Sequence, residues 1–197
     1  NNSPYTRSIR TGSGDDTVTI EATAGNKTEI HVGDGDNKVY IYGGNEHSVY
    51  TGGGEDTIVI TGGKSHYLEF GSGKNTVTIA AKGSTISTAS SAKDKITINW
   101  MNGQDNGDYT ITSKYDDVRY SDALTITGAN KDDFKFYIQG GVYNKTLILN
   151  SVNGDGSIAI KNWYTSNSGL AAFESNGITF ANGNVTYAWI NENATES

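Results

Sequence analysis

Histidines and paired acids are the residues in this chain best suited to chemistry. His47 and His66 lie 19 residues apart, each in a glycine-rich stretch, with Glu46 alongside. If 19 residues is a structural repeat, the two imidazoles sit on neighbouring strands roughly 5 Å apart. That is a beginning for Zn²⁺ or Ni²⁺. A closed site needs more ligands than these, and a pair of exposed, hydrogen-bonded histidines is the plainer reading. The acid pairs Asp15/Asp16, Asp116/Asp117 and Asp132/Asp133 are poor catalysts. Neighbouring side chains on a strand face opposite ways, and neighbouring acids in turns are solvated. No Ser–His–Asp arrangement, H-E-x-x-H motif or nucleophile elbow is recognisable. The chain reads as non-enzymatic.

Composition narrows the partners. Twenty-two acidic against fifteen basic residues give a net charge of −7, which argues against nucleic acid or an anionic membrane surface. The acids either meet a cation or keep a secreted protein soluble. Cysteine is absent, so neither disulfides nor thiol chemistry enter. No apolar run approaches the ~18 residues of a membrane span. The opening Asn1-Asn-Ser-Pro lacks an initiator Met and an apolar leader, as expected of a segment of something longer.

The elements that position these residues repeat. Gly12-Ser-Gly-Asp-Asp-Thr-Val18, Gly33-Asp-Gly-Asp-Asn-Lys-Val39, Gly52-Gly-Gly-Glu-Asp-Thr-Ile58 and Gly71-Ser-Gly-Lys-Asn-Thr-Val77 align without gaps. A second family, Gly43-Gly-Asn-Glu-His-Ser-Val49 and Gly62-Gly-Lys-Ser-His-Tyr-Leu68, falls between them. Val39, Ile58, Val77 and Ile96 are spaced by 19, and so are Ile30, Val49 and Leu68. Two ladders of one period mean a coil with two sides, each a glycine turn followed by a short strand of alternating apolar residues. Such a unit cannot bury its apolar face alone, so the array must stack. Val18 to Ile30 spans 12 where Val39 to Val49 spans 10, so two extra residues around Glu21–Gly25 should bulge outward. Asn1–Arg10 reads as an extended entry segment.

From these motifs the chain resembles the RTX (repeats-in-toxin) proteins, whose nonapeptides G-G-x-G-x-D-x-U-x wind into a calcium-bound parallel β-roll. The resemblance implies a right-handed parallel β-roll or β-helix of about 19-residue coils over residues 1–99. It places the metal ligands at Asp16, Asn37, Asp56, Asn75 and Asp94, with Asp15, Asp34, Asp36 and Glu55 adding negative charge. Each adjacent pair then has one carboxylate and one amide, which weakens a calcium site, and Lys74 weakens the later ones further. The competing reading is that these Asn and Asp residues cap turns and hold the stack together without metal.

Beyond Trp100 the period is lost. Strands are expected at 108–113, 123–127, 134–138, 146–149, 157–163, 177–180 and 184–190, with a hairpin at Asn182-Gly-Asn; no convincing amphipathic helix is seen. Asp122-Ala-Leu-Thr-Ile-Thr, Ser157-Ile-Ala-Ile-Lys-Asn-Trp-Tyr164 and Gly177-Ile-Thr-Phe-Ala-Asn-Gly183 resemble a domain that follows RTX repeats in hemolysin-type calcium-binding proteins. Residues 100–197 are therefore expected to form an irregular, mainly β capping domain, with Trp163 and Phe180 in its core. The family implies a bacterial protein exported by type I secretion machinery and folding outside the cell with Ca²⁺ bound. The chain would be the calcium-responsive module of a larger secreted polypeptide: a toxin, adhesin or exoenzyme. The alternative is a glycan- or surface-binding accessory module using Tyr40, Tyr50, Tyr67 and Lys38.

Overall fold

The computed structural model describes residues 7–23, 25–88, 93–113, 122–141, 145–164 and 177–196. Among the described residues the protein is all-β apart from one short helix and a 3-10 turn. Through the first half, successive strands alternate between two sheets. One sheet takes β1 (Arg7–Arg10), β3 (Thr28–Gly33), β5 (Ser48–Thr51), β7 (Tyr67–Glu69) and β9 (Thr85–Thr88). The other takes β2 (Thr17–Ile20), β4 (Lys38–Ile41), β6 (Thr57–Ile60), β8 (Thr76–Ile79) and β10 (Lys95–Asn99). Every pairing among these is parallel.

The register follows the sequence period. Val18, Val39, Ile58, Val77 and Ile96 are successive partners, as are Ile9, Ile30, Val49, Leu68 and Ile86. These positions and the ones two residues on, such as Ile41, Ile60 and Ile79, belong to one apolar cluster fed by both sheets. β-Branched residues dominate because they fit a pleated, stacked surface. Val18 pairs with Val39 across 21 residues rather than 19. Glu21, Ala22 and Thr23, which follow β2, are exposed, and the two extra residues leave the strand pairing undisturbed.

Both sheets continue past Asn99. β11 (Gly107–Ser113) pairs in parallel with β9, and β12 (Ala123–Thr127) with β10, so that Leu124 extends the column of Ile96. The interval has grown to 28, which hides the continuation from a periodicity search. β13 (Phe134–Gln139) and β14 (Lys145–Ser151) form an antiparallel hairpin, and β14 pairs in turn with β15 (Gly156–Tyr164). β15 returns in parallel against β11. β16 (Ile178–Phe180) extends β12 in parallel and makes a hairpin with β17 (Gly183–Val185), at the Asn182 turn that the sequence marks. Trp163 and Phe180 are buried.

The expected strand 184–190 is corrected: it ends at Val185, and α1 (Tyr187–Asn193) follows, before a last short strand, β18 (Thr195–Glu196). The Thr186 side chain accepts from the Trp189 N–H, closing the N-terminus, and Ile190 is buried. Two turns are too short to register as a helical period, so only the cap could have given this element away. The segment from Ser84 forms β9 over its first part; residues 89–92 lie outside the described residues, as do 114–121 with the acid pair Asp116/Asp117.

Close stacking of turns demands glycine at particular places. Gly73 has φ +115°, and a Cβ there would run into the Gly54 carbonyl of the turn beneath. Gly14 has a similar φ of +110° but open space around it. Gly73→Ala should therefore cost about 2 kcal/mol or more, and Gly14→Ala only the backbone strain of roughly 1 kcal/mol. Thermal melts of the two variants side by side check the difference.

Candidate functional site: ladders through the turns

The family-implied ligand positions come together as a single hydrogen-bonded column. Asn37 Oδ1 accepts from the Asp16 backbone N–H at 2.9 Å, Asp56 Oδ1 from Asn37 at 3.0 Å, and Asn75 Oδ1 from Asp56 at 3.0 Å. Asp94 Oδ1 then accepts from Asn75 at 2.8 Å. At every step the side chain of one turn satisfies the backbone donor of the turn before. Asn37, Asp56, Asn75 and Asp94 are all buried, and Asp16, at the end of the column, is half-buried. The amides also hold their own turns. Asn37 Nδ2 donates to the Gly33 and Gly35 carbonyls at 3.2 and 2.9 Å, and Asn75 Nδ2 to those of Gly71 and Gly73 at 3.4 and 3.3 Å.

Sequence reasoning missed the far end of this column. Asp94 N–H donates to Asp122 Oδ1 at 3.0 Å, while the Thr88 hydroxyl donates to Asp122 Oδ2 at 2.9 Å. Asp122 is 28 residues on, outside the period. The available signal was the likeness of Asp122-Ala-Leu-Thr-Ile to Asp94-Lys-Ile-Thr-Ile. Two buried carboxylates thus meet at the end. Burial, and next to it the charge of Asp122, pushes Asp94 up to about 7.

Asp34 and Asp36, with Asp15, form an outer set running in the opposite sense. Asp15 Oδ1 accepts from the Asp36 N–H at 2.8 Å, Asp34 Oδ1 from Gly53 at 2.7 Å, and Asp36 Oδ1 from Glu55 at 2.7 Å. Adjacent turns are stitched both ways.

The histidines form the matching column on the other side. His47 Nδ1 accepts from the Thr28 N–H at 3.1 Å, His66 Nδ1 from His47 at 3.3 Å, and Ser84 Oγ from His66 at 3.2 Å. A backbone N–H can only donate, so each Nδ1 is unprotonated and the ring proton is on Nε2. Nε2 lies 3.2 Å from the Gly43 carbonyl in His47 and 3.1 Å from that of Gly62 in His66, and donates to it. The rings stack at 5.4 Å, close to the expected spacing. They are buried, however, not exposed, because they face into the turn. Burial lowers both pKa values, His66 to about 4. With both nitrogens committed and Glu46 turned to Lys27 at 3.5 Å, the pair has no lone pair left for zinc or nickel.

Calcium asks for six to eight oxygens. At Asn37 and Asn75 the amide nitrogen occupies the turn carbonyls that would ligate an ion, and the Oδ1 atoms of Asn37, Asp56, Asn75 and Asp94 each hold a backbone donor. Asp16 Oδ2 and Asp56 Oδ2 are the buried oxygens of the column left without a partner, among the described residues. One free oxygen per carboxylate turn does not make a calcium shell, so this arrangement does not fit the ion.

The proposed glycan-binding residues are not gathered. Lys38 and Tyr40 lie on β4, while Tyr50 and Tyr67 lie on β5 and β7 of the other sheet. Tyr50 is covered on one side by His31, stacked at 4.7 Å, and approached by Tyr67 at 5.8 Å. Of the acid pairs, Asp133 caps the 3-10 turn by accepting from the Asn130 N–H. No family model matches the chain, and neither a curated protein nor a solved structure matches it.

Proposed function

We propose that the chain is a non-catalytic scaffold module of RTX type within a larger secreted bacterial protein. In this reading residues 11–99 wind as a right-handed β-roll of about 19-residue coils, and the less regular second half caps it. The observation that carries the reading is the unbroken column of side chains that fixes each turn on the next. Secretion through type I machinery is carried by the resemblance of the glycine-rich turns alone. Metal is not needed to hold the turns, because Asn, Asp and His already satisfy their backbone donors. The family's usual calcium dependence would therefore be lost. A glycan-binding role has less support, since its aromatic residues stand on opposite sheets.

Circular dichroism and thermal melting in chelator and in millimolar Ca²⁺ test this. The expected result is the same β spectrum in both and a Tm that moves by no more than a degree or two. A random-coil spectrum in chelator that turns to β on adding calcium would overturn it.

A further inference from the structure

The two ends of the stack differ. At one, the parallel ladder gives way to the hairpins β13–β14 and β16–β17 and to α1. At the other, β2 is the outermost strand of its sheet. It carries neither charge nor proline and pairs with β4 without a register shift, so none of these devices blunts the edge. Val18 and Ile20 keep 6 % exposure each, where Ile58, Ile60, Val77 and Ile79 have 0 %.

The contacts left open at this end follow a rule that every later coil obeys. Lys38, Thr57, Thr76, Lys95 and Ala123 each donate a backbone N–H, at 2.8 Å, to the carbonyl of the column residue one turn earlier: Asp16, Asn37, Asp56, Asn75 and Asp94. Thr17 holds the first place in that series, and among the described residues no carbonyl stands before it. Asn37, Asp56, Asn75 and Asp94 each accept a backbone N–H from the turn before. Asp16 holds the first place there too, and its Oδ2 is buried with no partner among the described residues. The glycines agree. A Cβ on Gly35, Gly54 or Gly73 would strike the carbonyl of Gly14, Gly35 or Gly54, whereas Gly14 itself, with φ of the same sign, faces open space. A donor, an acceptor and the room between them are thus left where a preceding turn and strand would use them.

We infer that Asp16–Ile20 is an interface for one more coil of the same kind, supplied by the larger polypeptide of the scaffold reading, on which this rests. The strand of that coil lies parallel against β2 and sets a carbonyl on the Thr17 N–H. Its glycine turn gives a backbone N–H to the Asp16 carboxylate. The occupant is identified by continuity, since the same groups meet a coil of this chain at every later step. A second copy stacked head to tail does not supply it, because the opposite end offers hairpins and a helix instead of a matching coil.

The test lengthens the full chain by a copy of its own Gly33–Ile41, turn and strand together, placed ahead of Asn1. The expected result is a higher Tm and amide exchange at Thr17 slowed about tenfold or more, as an edge amide becomes an interior one. Gly14→Ala, whose Cβ would meet the carbonyl of the added turn, should cancel that gain, and Asp16→Ala should reduce it. Exchange at Thr17 no slower in the lengthened chain would overturn the inference, as would a gain that both variants keep in full or a lengthened chain that does not fold. So would protection of Thr17 that rises with concentration in the original chain, which would make a second copy the occupant. Exchange at Lys38 and Thr57 reports the stack itself, and fast exchange there in the original chain would overturn the scaffold reading instead.

Discussion

Truncating Asn75 to alanine should cost about 3 kcal/mol or more, the loss expected when buried hydrogen-bonding groups are stripped of their partner. The change removes the acceptor of the Asp56 N–H and the donor to Gly71 and Gly73 together. Water cannot replace either, because residue 75 is sealed between neighbouring turns. Asn75→Asp should be milder than Asn75→Ala at pH 5, since a protonated acid keeps both contacts, and should worsen as pH rises. Chemical denaturation at two pH values measures both differences. Equal stability of Asn75→Ala and wild type would mean the column is ornament, not support.

The second large effect is one of pH, and it is concealed in the wild type. His66 is lowered in the fold to about 4 from 6.5, so its contribution is present above about 6.5 and lost as pH falls through 4. Asp94 is raised to about 7 from 3.8, so its contribution is present below about 3.8 and lost as pH rises through 7. Each is worth on the order of 3 kcal/mol across its range. Between pH 4 and 6.5 the two slopes have opposite sign and largely offset each other. His47 adds in the direction of His66, and Asp56 in that of Asp94. Wild-type stability should therefore be nearly level across that interval. Asp94→Asn should expose a protein that weakens toward acid, and His66→Gln one that weakens toward alkali. Urea midpoints at half-unit pH steps read out the slopes, and parallel profiles for wild type and both variants would refute the assignment.

The parallel columns of the first hundred residues could be read directly, because Val39, Ile58 and Val77 repeat at a spacing that tolerates no other register. The continuation through Leu124 could not. Long excursions separate the later strands, and periodicity carries no information once intervals differ. The candidate site was half legible. The positions Asp16, Asn37, Asp56, Asn75 and Asp94 were singled out by the resemblance of their turns to the RTX nonapeptide, and the competing reading of Asn and Asp as turn caps needed the same positions. Which way their second atoms point was not legible, since amide and carboxylate look alike in a one-letter pattern until the carbonyls around them are seen. His47 and His66 show the same limit: spacing predicted their neighbourhood, but not that both ring nitrogens would be used inside the turn. The short helix escaped because a single cap, Thr186, is weak evidence without a helical period beside it.

The bulge after Glu21 has an evolutionary consequence. Alternate residues along a strand face opposite sides, so one residue gained or lost within a strand would turn its whole apolar set outward. Between Val18 and Val39 two residues were accommodated in an exposed connection with the pairing preserved. The chain can thus vary in length at its corners while its strands keep their partners, as the interval of 28 between Ile96 and Leu124 also shows.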